Sequence, residues 1–356
     1  DRRAISLIAI HSNDIPDVFP AEAVAQAEAA QPVVMSAASK REDLRHLPLI
    51  TVDGADARDF DDAIWAAPDD DPKNKGGWQI IVAIADVSHY VTFNSALDRE
   101  ARRRGNSVYF PDRVVPMLPE ALSNNLCSLR PDEDRPVLAV TMRLDAKGRR
   151  LEHKFHRAMI RSAARVIYED LQAAHDGEPN EQTGPILDTV IEPLYGAWGA
   201  LMRARESRQP LDLDLPEMKI SVGEDGHVED VRQRQRLDAH RVIEEFMIEA
   251  NVAAAETLEA QKMPCVYRVH DQPDREKLLG LKDFLSSLGL SFAMGERLRP
   301  ELFNRILAKA KGSDHWEAVN QSILRSQSQA RYDPDNIGHF GLSRPRYAHF
   351  TSPIRR

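Results

Sequence analysis

The spacing of apolar residues changes character near residue 165. Before it, short apolar or β-branched runs alternate with turn residues, a strand pattern. "ISLIAI" (5–10) reads as a strand, "AEAVAQAEAAQ" as a helix after Pro20, and "PVVMSAASKRED" as a connector, so residues 1–45 form a leader or linker. "LPLITVD" (47–53) is a strand rich in β-branched residues that ends in an acidic loop. "AIWAA" and "WQIIVAIADV" are the arms of a hairpin whose connection, "PDDDPKNKGG", holds Asp69, Asp70 and Asp71 as a solvated turn. Ser95 is placed to cap the helix "ALDREARRR", with Asp98 at its third position and Gly105 just past its end. "NSVYF" is a strand, and "PMLPEALSNNLCSL" is a turn into a short helix. "RPVLAVTMRLDAKGRRLEHKFHRAMIRS" alternates as two or three strands around Lys147–Gly148.

Beyond that point the period becomes helical. "GPILDTVIEPLYGAWGALMRARES" has apolar residues at near-helical spacing. "RLDAHRVIEEFMIEANVAAAETLEA" is the strongest helix, with Ile243, Met247, Ala250, Ala254 and Leu258 in one stripe. "QPDREKLLGLKDFLSSLGL" and "RPELFNRILAKAKG" are further helices. Strands first and helices later predict an α+β fold, with mixed or antiparallel strands from the first half packed with helices mainly from the second.

Composition narrows the class. The 356 residues suffice for one large domain or two ordinary ones, with 42% hydrophobic and 29% charged residues. No apolar run is long enough to span a membrane, and the apolar start breaks at His11 and Asn13, unlike a signal peptide. Cys127 and Cys265 are the two cysteines, which fits a reducing compartment such as the cytoplasm. The formal net charge of −9 is unevenly spread. No acidic residue follows Asp335, whereas Arg344, Arg346, Arg355 and Arg356 do, and "DREARRRGNSVYFPDR" is a second arginine-rich stretch. Charge location, rather than its sum, governs contact with a polyanion.

"DGADARDFDD" (53–62) places Asp53, Asp56, Asp59, Asp61 and Asp62 within ten positions. Crowded carboxylates repel one another unless a cation lies between them. A hard divalent ion such as Mg²⁺ takes oxygen ligands and completes its shell with water and phosphate, so the loop points to phosphodiester chemistry. An EF-hand reading fails, because counting from Asp53 puts Arg58 and Ile64 where Gly and Glu are required. "DFDDA" meets only half of a phosphotransferase D-x-D motif, and an acidic surface turn stays open. Phe60 and Ile64 flank the last two aspartates and argue for packing.

Other residues could bind nucleic acid. Tyr109 and Phe110, beside arginines, could stack on bases, although strand aromatics are more often core. Tyr168 has the same two readings. Glu244 and Glu245 sit mid-helix, one facing inward and one facing water. The tail "HFGLSRPRYAHFTSPIRR" carries arginine forks suited to phosphate. His270 has no second ligand nearby in sequence and reads as structural.

"DGADARDFDDAIW", "VAIADVSHYV", "LDREARRRGNSVYFPDRVVPMLPEALSNNLCSLRP", "HRVIEEFMIEANVAAA" and "GHFGLSRPRYAHFTSPIRR" together resemble the catalytic RNB domain of the ribonuclease II / ribonuclease R family, nearest its bacterial ribonuclease R branch. The resemblance places that domain at 46–356 and implies processive 3′→5′ hydrolysis of single-stranded RNA to nucleoside 5′-monophosphates. It implies one or two Mg²⁺, with Mn²⁺ as a substitute, held by Asp53, Asp59, Asp61 and Asp62. Asp61, Asp59 and Arg355 are the catalytic residues it carries over, with Arg355 clamping the scissile phosphate. Tyr109 is expected to stack on the terminal bases, and Tyr168 and Glu244 to hold the last nucleotides. A stacking aromatic of some members falls near Leu213, which is aliphatic here. The expected chain is a monomer that grips the RNA 3′ end and no membrane. OB or cold-shock barrels and an S1-type barrel are expected in the full-length protein, outside these residues, and the catalytic domain is expected to continue past "TSPIRR". The competing expectation is an RNA-binding fragment with weak or no catalysis. A small-molecule phosphatase has no use for Tyr109 or the arginine tail.

Overall fold

The computed structural model describes residues 4–36, 39–216, 218–223, 228–233, 235–293 and 298–354. The chain divides into two compact units, Asp1–Leu201 with Met218–Met247 and Phe350–Arg356, and Met202–Glu217 with Ile248–His349.

The first unit opens with helices α1 (Ala4–Ser12) and α2 (Ala21–Ala29) and the short strand β1 (Glu42–Asp43). Strands β2 (Ile50–Asp53), β3 (Asp62–Pro68) and β4 (Trp78–Ala85) follow, then helices α3 (Val87–Tyr90) and α4 (Ala96–Arg104). A two-stranded ribbon, β5 (Val108–Tyr109) and β6 (Val114–Val115), precedes β7 (Asp134–Leu144), β8 (Arg150–Arg161) and β9 (Ala164–Ile167). Helices α5 (Tyr168–His175), α6 (Glu192–Arg208) and α7 (Asp238–Ala260) complete the series, with a ribbon of β10 (Met218–Val222) and β11 (Val228–Gln233) between the last two; α6 and α7 contribute residues to both units.

Seven strands form one mixed sheet in the order β1-β8-β7-β4-β3-β2-β9. Its middle is antiparallel, and its two edge pairs, β1 with β8 and β2 with β9, are parallel. β4 takes the centre because "IIVAIA" is apolar without interruption, and a strand covered on both faces tolerates such a run. All six of those residues are buried. One face carries small residues, Ala63, Ala83, Ala85, Ala139 and Ala158, in a cluster with Ala23 and Ala27 of α2 and Leu97 of α4. Alanine on both surfaces allows close approach of helix and sheet. Gln26 accepts the Leu97 backbone N–H at 3.0 Å, fixing the pair of helices. The caps on α4 form as the sequence predicts: Ser95 accepts the Asp98 N–H, and Gly105 stops the helix at φ 76°.

The second unit has its own core. Helices α8 (Arg275–Ser287), α9 (Pro300–Ala310) and α10 (Trp316–Ser326) pack Leu281, Leu285, Phe303, Ile306 and Ile323 together. Strands β12 (Tyr267–Val269) and β13 (Arg331–Asp333) of the same unit pair antiparallel. His270 is structural, as its sequence context suggests: its Nδ1 accepts the Gly341 N–H at 2.8 Å and its Nε2 faces the Ser328 carbonyl at 2.8 Å.

Four local expectations are corrected. "ISLIAI" is helical rather than extended; an isolated helix satisfies its own backbone without a sheet edge, and Ile10 is thereby buried. Asp69 is not in a solvated turn, because Arg143 and Asn74 bond its carboxylate, whose side chain is 2% exposed. The stripe on α7 is not a single face. Val242, Phe246, Ile248, Val252 and Ala253 are buried around most of the helix, while Met247 and Ala254 are only partly covered. A helix buried nearly all round shows little periodicity. The helical pattern also begins later than 165, since Ala164–Ile167 forms β9.

Candidate active site

The acidic loop joins two adjacent antiparallel strands, so its geometry follows from register. Ile50 of β2 stands level with Ile64 of β3. Asp53 is the last residue of β2 and Asp61 immediately precedes β3, so both stand where the acidic loop meets the sheet. Both are buried, at 7% and 3% exposure, which excludes the acidic surface turn. Asp62 opens β3 opposite Ile84 and is half-buried, as is Asp59, whereas Asp56 is exposed.

The loop is tied down mostly through its backbone. The Ser128 hydroxyl accepts from the Phe60 N–H at 3.2 Å and donates to the Arg58 carbonyl at 3.0 Å. The Leu129 N–H donates to the Phe60 carbonyl at 2.7 Å and the Ala85 N–H to the Asp61 carbonyl at 2.9 Å. From β9, Arg165 donates to the carbonyls of Gly54, Ala55 and Ala57 and lies 4.9 Å from the Phe60 ring centre. Cys127 lies behind this region. Burial pushes its thiol up to about 12, with the Asp86 and Asp61 charges adding to the effect. A thiol so raised stays protonated and is no nucleophile.

Tyr109 is 50% exposed on its ribbon, so it is not a core aromatic. Its hydroxyl donates to the Asp59 carboxylate at 3.3 Å. Tyr168 follows directly on Ile167, which pairs with Asp53 across β2 and β9. The Tyr168 ring stacks on His240 at 4.1 Å and 13°. Glu245 is the inward member of its pair. Glu244 is half-exposed and bonded to Arg236 at 2.6 Å. Leu213 belongs to the second unit and packs against its helical core.

Arg355 lies outside the described residues. The residue before it is well placed: Ile354 is 2% exposed in the first unit's core, and its carbonyl accepts the Ser107 hydroxyl at 2.8 Å. The structure thus ties Tyr109 to Asp59 of the acidic loop and ties Ile354 of the tail to Ser107, two residues before Tyr109. Sequence reasoning missed Ser128 and Arg165. Neither had a signal, since one is a loop serine and the other is a charge at an alternating strand position.

Among the described residues, no three histidine, cysteine or acidic side chains form a ready-made metal cage. The donors of the loop are all carboxylate oxygens, two of them withdrawn from water. That set fits a hard divalent ion that keeps part of its shell for water and phosphate, and it does not fit zinc, which takes nitrogen and sulfur.

A buried carboxylate pair at a hairpin mouth, with an exposed tyrosine bonded to a third carboxylate, defines a candidate phosphodiester-processing site. The chain belongs to the RNB domain family, which matches residues 41–356. It is similar to ribonuclease R of Escherichia coli (strain K12), 43% identical over 353 residues, covering 98% of this chain and 43% of the relative. It is also similar to ribonuclease R of Thermotoga maritima, 39% identical over 354 residues, covering 99% and 49%. The chain therefore spans less than half the length of these two relatives. Among solved structures, it resembles Mycoplasma genitalium RNase R in complex with ribose methylated single-stranded RNA, with a TM-score of 0.92, 29% identity, and 100% of this chain and 55% of that one covered. Yeast Ssd1, a pseudonuclease, shares the fold at a TM-score of 0.72 and 20% identity over 92% of this chain and 40% of its own.

Proposed function

We propose that this chain is the catalytic part of a Mg²⁺-dependent 3′→5′ exoribonuclease that hydrolyses single-stranded RNA processively to nucleoside 5′-monophosphates. One observation carries the reading. The tail just before Arg355 is held at Ser107, and two residues on, Tyr109 reaches Asp59 in the acidic loop. Residues far apart in sequence are thereby linked through the Ser107–Tyr109 segment, which supports a site where arginine and a divalent cation would grip phosphate together. The resemblance to an RNA-bound RNase R over the whole chain supports the same substrate.

Asp53, Asp59, Asp61 and Asp62 would hold one or two Mg²⁺, or Mn²⁺ in their place. Bound there, the ion supplies Lewis-acid activation of water and offsets charge on the phosphodiester. The exposed Tyr109 ring offers a stacking surface for the terminal bases, while its hydroxyl keeps it beside the cluster. Tyr168 and Glu244 would contact the last nucleotides. Arg355 would pair with the scissile phosphate and stabilise charge that develops on it. The two free, buried cysteines suit the cytoplasm, and no described helix is long and apolar enough to cross a membrane. We take the working form to be a monomer, with barrel domains elsewhere in the full-length protein adding RNA grip.

The full-length protein, given 5′-labelled and internally labelled single-stranded RNA with Mg²⁺, should release mononucleotides from the 3′ end without accumulating intermediates. EDTA should stop release. Cleavage that persists in EDTA, or internal cuts, would reject the reading. The second reading is RNA binding without cleavage, and the shared fold of a pseudonuclease motivates it. Bound but intact RNA in saturating Mg²⁺ would favour it.

A further inference from the structure

Arg165 has no role in the account so far, yet it reaches three carbonyls of the acidic loop from a neighbouring strand. Its guanidinium donates to the carbonyl of Gly54 at 3.1 Å, to that of Ala55 at 2.9 Å and, at the limit of bonding distance, to that of Ala57 at 3.5 Å. The same group lies over Phe60 at 4.9 Å. Its backbone is held as well, because Gln182 donates to the Arg165 carbonyl at 2.6 Å and Thr51 pairs with it across β2 and β9.

The ties on the loop are divided. Ser128, Leu129 and Ala85 fix its second half, from Arg58 to Asp61. In the first half, Gly54 to Ala57, the Ala57 N–H donates to the Gly54 carbonyl, and Arg165 reaches the carbonyls of Gly54, Ala55 and Ala57. This half sets the path by which the chain leaves β2 after Asp53. Carboxylates left to themselves would spread the loop apart. A guanidinium suits this task because it cannot be deprotonated, its Nη2 reaches all three carbonyls, and it rests stably on an aromatic face.

We infer that Arg165 is a positioning residue for the cation site, gathering the loop carbonyls so that the backbone carrying the carboxylates is already on course when the ion arrives. The inference rests on the metal reading above. Preorganisation of this kind lowers the cost of binding without touching the ligand.

The test uses full-length protein and Mn²⁺ binding followed by electron paramagnetic resonance, without RNA. Arg165→Met, which keeps the stem and removes the fork, should weaken Mn²⁺ binding about tenfold or more, the usual scale for loss of a group that orients metal ligands. Arg165→Lys should fall between. RNA affinity measured in EDTA should stay within about twofold of the parent, since direct phosphate contact is not the role assigned. Unchanged Mn²⁺ affinity in a folded variant overturns the inference. So does a loss of RNA affinity in EDTA with Mn²⁺ binding intact, which would make Arg165 a phosphate contact. If Arg165→Met does not fold, the lysine variant decides between the same outcomes. If the parent itself binds no Mn²⁺, the metal reading falls, and this inference with it, a result plainly different from an insensitive variant.

Discussion

Asp61→Asn is expected to lower the rate of RNA cleavage by on the order of 10²–10³-fold or more, the scale on which enzymes lose rate when a group that stabilises transition-state charge is removed. RNA binding should remain. Asp61 is the most buried of the four aspartates, at 3% exposure, and stands where the acidic loop runs into β3. Its backbone is anchored by Ala85 independently of the side chain, so the loop should keep its path. Asparagine matches the shape and removes one negative charge from a crowded group, which relieves repulsion rather than adding to it. Single-turnover cleavage and fluorescence anisotropy on one RNA separate the two effects. Parental cleavage by the variant would show that Asp61 is not in the machinery.

The largest stability effect should come from Asp86→Ala. Asp86 directly follows the central strand β4, its side chain is 1% exposed, and Arg41, Arg157 and Ser88 all bond it. Arg41 is itself 5% exposed, so the alanine variant strands a buried guanidinium. Breaking a buried pair by removing one partner costs about 3–5 kcal/mol. Burial alone would raise the Asp86 pKa, but the bonds from Ser88, Arg41 and Arg157 outweigh it and hold the carboxyl below its ordinary value. The sign follows from linkage: a carboxyl whose folded pKa is depressed contributes stability above its unfolded pKa and loses it as pH falls through the folded value. The gap in unfolding free energy between parent and variant should be constant above about pH 5 and narrow below about pH 4. Denaturant melts across that range would measure it, and a gap under about 1 kcal/mol at neutral pH would mean that Arg41 finds another acceptor.

Much of the sheet could be read from local patterns. The β-branched run before the acidic loop, the doubly buried "IIVAIA" and the capped helix after Ser95 each carry their own signal, and each forms. The aspartates were visible as a cluster because they are close in sequence. What local pattern could not show depends on partners far along the chain. Asp69 looked like a turn residue until Arg143, from another strand, reached it. The α1 segment has β-branched residues but no strand to pair with among the described residues, so it coils. Arg165 serves the acidic loop only because β9 returns parallel to β2.

The central claim is that the mouth of the β2–β3 hairpin takes up a divalent cation that serves RNA cleavage. Anomalous diffraction from crystals of the full-length protein grown with Mn²⁺ and an RNA carrying a non-cleavable 3′ linkage tests it most directly. The account predicts a peak bounded by Asp53, Asp59, Asp61 and Asp62, beside the last phosphodiester. A bound RNA 3′ end with no peak among those carboxylates, or with the ion elsewhere, would contradict it.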